Sequence, residues 1–324
     1  MPFIAKRYFG LSVDPIHIGT GGYRLGRVDN TIVREPGTSI PKIPGSSISG
    51  VCRSFTAIHP EVNKYPDCAG KGREDNRNHC GQNKCPVCVA FGFSIGESNK
   101  SFQGLAQLSD ARILFFPVYS MLGPVWITSP SILKEHSIDA NLSDWKTYKN
   151  LGTTAIPEGG RLNFGWLMLD KDADNGPISL ENRFNHINQE VKTRLFLVSE
   201  RMFSRIVNDN LEVRTSVAID PETGAAVPKA LFTYEAIPRT TIFWFDITYS
   251  NPQYFRIDNS FIMLPPRTNI QDPFSRENIP LDNLSYLAYY VEQGLSYFKT
   301  LGLGGMNTRG FGRIDITNGE VLHA

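Results

Sequence analysis

Charge of one sign is missing from this chain. Its 33 lysines and arginines stand against 32 aspartates and glutamates, a formal net charge of +1. No overall electrostatic field therefore marks it as a polyanion binder, and any phosphate binding must come from local clusters. Long hydrophobic runs are missing too. No stretch approaches the roughly 20 apolar residues that span a bilayer. The start, MPFIAKRYFGLSV, lacks the apolar run and cleavage site of a signal peptide. A cytoplasmic protein with no membrane partner is expected. Cysteine is scarce and odd in number, five in all, and four fall between Cys68 and Cys88. That excludes a disulfide scaffold and points to one local metal site. There is no repeat of solenoid period and no low-complexity linker, so a single domain over 1–324 is expected.

What is present is apolar patterning dense enough for a core, 41% of residues, punctuated by 28 glycines and 21 prolines. Residues 3–13 alternate and read as a first strand. Ser46 or Ser47 can cap a helix whose apolar positions are Ile48, Val51, Cys52, Phe55 and Ile58, and Pro60 stops it. Residues 60–100 carry the cysteines as a polar insertion. Strands are expected over 111–120, 161–169 and 240–250, with short helices and loops over 129–159. The segment from about Glu181 to Val207 reads as helical. LEVRTSVAID and KALFTYEAI flank the turn PETGAAVP as a β-hairpin over about 212–235. Asn283 to Thr300 reads as an amphipathic helix, and a glycine loop then leads into a last strand. The class is α+β, with a ferredoxin-like or RNA-recognition-type sheet.

Three stretches carry chemistry. In REPGTSIPKIPGSSISGVCR, two X-Pro turns approach a helix start whose unpaired N–H groups at Gly45, Ser46 and Ser47 suit a phosphate. Ordinary capping is the alternative. In LGLGGMNTRGFGR, five glycines let backbone approach a ligand closely, with Arg309 and Arg313 beside them. This loop follows a helix instead of opening one, so it is neither a Walker nor a Rossmann loop. A plain connector is the alternative. Finally, Cys68, Cys80, Cys85 and Cys88 lie within 21 residues and end in C-x-x-C, which suits structural, tetrahedral zinc. His79 or His59 could replace one cysteine.

Taken together, HIGTGG, VD, RE and IPGSSISG followed by a terminal LGLGGMNTRGFGR resemble the paired signatures of RAMP proteins, the RNA-binding subunits of CRISPR effector complexes. DARILFFPVYSMLGPVWITSPSIL, LVSERMFSRIV and ALFTYEAIP are similar to the backbone subunits of type III-B (Cmr-type) complexes. The resemblance runs from about Phe3 to Ile316. It implies an RNA-recognition-type core with a projecting hairpin thumb. Copies would stack along a CRISPR RNA beside the other subunits of the complex. Each would cut guide-paired target RNA at regular intervals with a divalent metal, magnesium or manganese.

The resemblance also places residues. Asp29 falls at the family's cleavage aspartate, His17 at the histidine before its glycine loop, and Glu235 at an acidic position near the thumb base. The RNA-facing set would be Gly19, Gly21, Gly45, Ser46, Ser47 and Arg53, with Gly304, Gly305, Thr308, Arg309, Gly310 and Gly312. Two departures stand out. Ile237 replaces a frequent tyrosine, and Ser49 replaces a lysine whose phosphate contact would be lost or passed to Arg53. Three other readings remain at this point: the equivalent subunit of a type III-A or III-D complex, a non-catalytic scaffold of the same fold, and an endonuclease that processes CRISPR RNA alone.

Overall fold

A computed structural model describes the chain except residues 22–27, 70–78, 96–99, 175, 177, 179, 181–183, 267–270, 275, 277, 279, 318–320 and 324. It is a mixed α/β protein in two compact units. The first comprises Met1–Val13, Ile43–Arg112 and Trp244–Ala324; the second comprises Asp14–Lys42 and Ile113–Phe243. Among the described residues no helix is long and apolar enough to cross a membrane.

In the first unit the strand Phe3–Ser12 lies between Ile314–Thr317 and Ile242–Ser250, and Ala106–Leu108 lines the far side of the latter. Phe9 faces Thr317 and Ser12 faces Ile314 in an antiparallel register. A further strand, Val321–His323, also pairs with Phe3–Ser12, so the glycine loop leads into the last strand but one. The helices Gly45–Ile58 and Asn283–Ser296 pack on each other. Their close approach requires Gly294, where a Cβ would stand 2.3 Å from Thr56 Oγ1 and 2.7 Å from the Cys52 carbonyl oxygen.

The second of these helices is shorter than expected, ending at Ser296, with a separate turn at Phe298–Leu301. It is also not amphipathic: it buries residues all round, Glu292 included. That carboxylate is tolerated because its Oε1 accepts from Lys6 Nζ at 2.8 Å and from the Tyr8 hydroxyl at 2.5 Å.

The second unit holds a mixed sheet. Ala111–Ser120 turns back into Gly123–Thr128, which runs parallel to Leu195–Val198. Thr147–Asn150 follows antiparallel, then Leu167–Lys171 parallel, then Arg161–Phe164 antiparallel. Tyr148, Phe164 and Phe196 meet edge to face, with centroids 5.4–5.7 Å apart.

Three sequence expectations change here. The strand over 161–169 is a hairpin, broken by Gly165 at φ +61° and the exposed Trp166. Thr147–Asn150 is a strand that its polar composition concealed. The helix expected to 207 begins outside the described residues. Its described part is a short helix Gln189–Thr193, the fully buried strand Leu195–Val198, and a helix Glu200–Asp209. Asn188 and Ser199 cap the two helices, so the chain restarts its helix after the strand.

The hairpin expected over 212–235 forms as Glu212–Ile219 with Ala226–Ala236. It is a two-stranded ribbon with Val217, Ile219 and Leu231 exposed.

Candidate active site and metal centre

In the second unit, residues 29–32 run beside the hairpin strand Ala226–Ala236. Asn30 N–H donates to the Thr233 carbonyl at 3.0 Å, and Glu235 N–H donates to the Asn30 carbonyl at 3.0 Å. This strip fixes Asp29. Its Oδ2 accepts from Thr233 N–H at 2.7 Å and from the Thr233 hydroxyl at 2.9 Å, while Asp29 N–H donates to that hydroxyl oxygen at 3.0 Å. Oδ1 has no hydrogen-bond partner among the described residues. The Thr233 N–H and then its hydroxyl hold the Asp29 carboxyl below the usual range. Asp29 is exposed and ionised near neutral pH, suited to placing charge, water or a cation and poorly suited to taking a proton.

His17 is 6% exposed. Its Nδ1 lies 2.6 Å from the Glu235 carbonyl oxygen. That oxygen only accepts, so Nδ1 carries the proton. The ring meets Tyr234 edge to face at 6.0 Å. Gly19 lets the chain cross over this ring, since a Cβ there would stand 3.1 Å from Nε2.

Glu235 is engaged on both oxygens. Arg34 Nη2 donates to Oε1 and Oε2, each at 2.9 Å, and Ile32 N–H reaches Oε2 at 3.3 Å. Arg34 Nε in turn donates to Asn208 Oδ1 at 2.9 Å. The three sequence-chosen residues therefore converge on residues 233–235: Asp29 through Thr233, His17 and Glu235 through Glu235 itself. Thr233, Arg34 and Asn208 escaped the sequence reading. The alternation in FTYEA, with Thr233 and Glu235 on one face of the strand, was the available signal.

The residues expected to face RNA lie in both units. Gly19 and Gly21 are exposed in the second. In the first, the helix Gly45–Ile58 starts after Pro44, and neither Ser46 nor Ser47 caps it with its side chain. Gly45 N–H donates to Asp110 Oδ1 at 2.7 Å, and a Cβ on Gly45 would strike the Leu108 carbonyl at 2.5 Å. Packing already requires that glycine. The glycine loop is pinched at its base, where a Cβ on Gly312 would stand 2.5 Å from the Leu303 carbonyl oxygen. Gly304 is left-handed too, at φ +89°, and Gly305 follows it. Thr308, Arg309 and Gly310 sit together at the exposed tip.

Arg53 points elsewhere. Its Nε donates to the Cys68 carbonyl at 2.7 Å, and Nη2 lies 3.0 Å from His79 Nδ1. It serves the cysteine cluster. There the Sγ atoms of Cys68, Cys80, Cys85 and Cys88 all lie within 4.8 Å of one another. The separations are 3.7 Å for Cys80–Cys88, 4.0 Å for Cys85–Cys68 and 3.7 Å for Cys88–Cys68. Tetrahedral zinc with Zn–S about 2.3 Å places sulfurs roughly 3.8 Å apart, so the donor set fits a metal such as zinc. Hydrogen bonding within the cluster, from Cys68 first, pushes the Cys80 thiol down and the Cys85 and Cys88 thiols up. His79 lies against Arg53 and His59 against Tyr297, so the described ligand set is four cysteines and neither histidine.

Comparison with known proteins follows the same lines. The RAMP superfamily profile matches residues 12–315. The CRISPR system Cmr endoribonuclease Cmr4 of Pyrococcus furiosus is 26% identical over 330 aligned residues, covering 96% of this chain and 95% of that protein. Two solved structures share the fold. A type III-B Cmr-beta complex bound to cognate target RNA contains a chain with TM-score 0.61 at 15% identity, covering 97% of this chain and 96% of that one. Oligomeric Cmr4 from Pyrococcus furiosus gives TM-score 0.58 at 19% identity, covering 99% of each.

Proposed function

The chain belongs to the RAMP superfamily, and from that premise we propose that it is a CRISPR RNA-binding backbone subunit of a Cmr-type effector complex, an endoribonuclease that cuts guide-paired target RNA. The observation that carries the proposal is Asp29. It is an exposed, ionised carboxylate with Oδ2 clamped by Thr233 and with no partner for Oδ1 among the described residues. The near end-to-end match to a protein named as an endoribonuclease supports it.

The first unit is the RNA-recognition-type core. Taken without the shorter elements between them, Phe3–Ser12, Gly45–Ile58, Ala106–Leu108, Ile242–Ser250, Asn283–Ser296 and Ile314–Thr317 run strand, helix, strand, strand, helix, strand, which supports a ferredoxin-like reading. The ribbon Glu212–Ile219 with Ala226–Ala236 is the thumb, and its apolar surface wedges between stacked bases. The insertion over 60–100 is held by zinc on the four cysteines. The chain is one RAMP domain that works in the cytoplasm with CRISPR RNA, target RNA, sister subunits and further copies of itself.

Cleavage uses the RNA's own 2′-hydroxyl. The thumb splays a nucleotide so that this oxygen lies in line with the adjacent phosphorus, and geometry supplies much of the acceleration. Asp29, itself an anion, acts there by orienting a water or by holding a cation. Asp29 would hold the divalent ion, magnesium or manganese, which would supply positive charge beside the phosphate. His17 and Glu235 position the loop: the buried ring supports Gly19, and the Arg34 ion pair ties residues 32–34 to the thumb base. The exposed loop tip at Thr308, Arg309 and Gly310, with Gly19, Gly21, Gly304, Gly305, Ser46 and Ser47, follows the guide backbone.

The test is Asp29→Asn in the assembled complex. Guide and target binding should persist while cleavage slows by about 10²-fold or more. Products should carry 5′-hydroxyl ends, and 2′-deoxy substitution at the cut sites should block wild-type cutting. Wild-type cleavage rates in the Asn variant would make the chain a scaffold.

A further inference from the structure

Arg53 sits on the helix Gly45–Ile58, yet its guanidinium turns away from the helix start and toward the cysteine cluster. Each nitrogen has a distinct target. Nε donates to the carbonyl of Cys68 itself at 2.7 Å. Nη2 donates to His79 Nδ1 at 3.0 Å, one residue before Cys80. Nη1 reaches the Phe91 carbonyl at 3.4 Å, at the end of the helix Pro86–Phe91 that carries Cys88. One fork thus touches the backbone of one ligand, the neighbour of a second, and the far end of the helix that carries a third. His79 must accept through Nδ1, which fixes its neutral tautomer, and burial, then the charge of Arg53, holds its pKa down.

The electrostatics agree with this geometry. Four thiolates around one divalent ion leave the centre doubly negative, in a setting where Cys68 and Cys88 are 0% exposed and Cys85 is 2% exposed. Buried charge of that size needs a nearby cation. Burial lowers the Arg53 pKa, and the charges of Cys88, Cys68 and Cys85 oppose that shift. A planar fork can hold three acceptors and also supply that charge, which a lysine cannot reproduce.

We propose that Arg53 is the outer-sphere positioning residue of the four-cysteine metal centre, orienting its ligands and offsetting its charge, and that through Arg53 the bound metal braces the helix Gly45–Ile58. This deepens the zinc reading above and removes Arg53 from the RNA-contact set. The metal then has a structural consequence beyond the insertion. It stiffens the helix whose first turn carries Ser46 and Ser47.

The experiment uses the full chain, stripped with a chelator under reducing conditions and titrated with zinc against a chromophoric competitor. Loss of an outer-sphere partner typically lowers metal affinity about 10–100-fold, and Arg53→Ala should fall in that range. Arg53→Lys, which keeps the charge without the fork, should fall between it and wild type. Arg161→Ala, an exposed arginine of the other unit, should match wild type. Cobalt(II) substitution should give a four-thiolate absorption band in wild type, weakened or shifted in Arg53→Ala. Zinc should also slow amide exchange along residues 45–58 in wild type and do so less in Arg53→Lys. If Arg53→Ala does not fold, Arg53→Lys carries the test.

Zinc affinity equal to wild type in either Arg53 variant overturns the proposal, as does lost guide RNA affinity with zinc affinity intact. A wild-type chain that takes up no zinc overturns the zinc reading itself, which separates the two failures.

Discussion

Glu235 offers a sharp choice between a catalytic carboxylate and a brace. Its side chain is 13% exposed and that of Arg34 is 24% exposed. The pair shares two hydrogen bonds of 2.9 Å, and each partner has a second attachment, Ile32 N–H and Asn208. Breaking a buried pair costs about 3–5 kcal/mol, and an exposed one about 0–1 kcal/mol. At this partial exposure, Glu235→Ala should cost about 2–3 kcal/mol, because Arg34 is left charged with one anchor gone. Glu235→Gln keeps an acceptor for Ile32 N–H and should cost roughly half as much. Arg34→Met combined with Glu235→Leu should be milder than the sum of the single changes, with a coupling energy of about 1–2 kcal/mol. Urea denaturation of the RNA-free chain measures all of these. Complexes assembled with Glu235→Gln should then cut target RNA within a few-fold of wild type. A stable Glu235→Gln chain whose assembled complex cuts about 10²-fold slower or worse would refute the brace and restore Glu235 to the chemistry.

Three further outcomes follow from the same contacts. Thr233→Val removes the hydroxyl that holds Asp29, so single-turnover cleavage should slow while target affinity holds, and Thr233→Ser should restore the rate. Arg309→Ala, at the exposed loop tip, should weaken guide binding alike for all sequences and reduce the salt slope by about one unit. Glu292 is raised above its ordinary value by burial first, against the opposing charge of Lys6. As pH rises above the ordinary carboxylate range and through that raised folded value, the unfolded chain binds fewer protons than the folded one at this site, so stability declines. Glu292→Gln should remove that decline, seen as a flatter profile of urea midpoint against pH.

Local signals were legible where one physical cause dominated. Alternation pointed to Phe3–Ser12, a strand was also expected where Ile242–Ser250 forms, and the turn residues between 219 and 226 pointed to the hairpin. The four cysteines were chosen by spacing alone and come together in space. Expectation departed where long-range packing overrode local pattern. Leu195–Val198 lies between two helical stretches, and nothing local distinguishes a buried apolar helix turn from a buried strand. Thr147–Asn150 offers little apolar sequence, because Tyr148 is its one apolar side chain and the buried neighbour Lys149 is charged.

At the site, Asp29 came from resemblance to a family and not from any property of an exposed loop aspartate. Its partner Thr233 is 204 residues away, so no window of sequence could have joined them. Arg53 shows the converse. Its place in a helix near small hydroxyl residues suggested a phosphate, whereas its side chain turns toward the backbone of the cysteine cluster.

The pairing of Phe9 with Thr317 sets an order of events during synthesis. The two residues are 308 positions apart, and a ribosome adding roughly 5–20 residues per second needs about 15–60 s to cover that distance. Phe3–Ser12 therefore waits through that interval without its partner Ile314–Thr317, while every segment of the second unit has been made once Phe243 emerges. The thumb and the Asp29 loop can take shape on the nascent chain before the first unit has its closing strand. During that wait Phe3–Ser12 is an exposed ladder of the kind that recruits other chains. Faster translation of the stretch between Ser12 and Ile314 would shorten this interval.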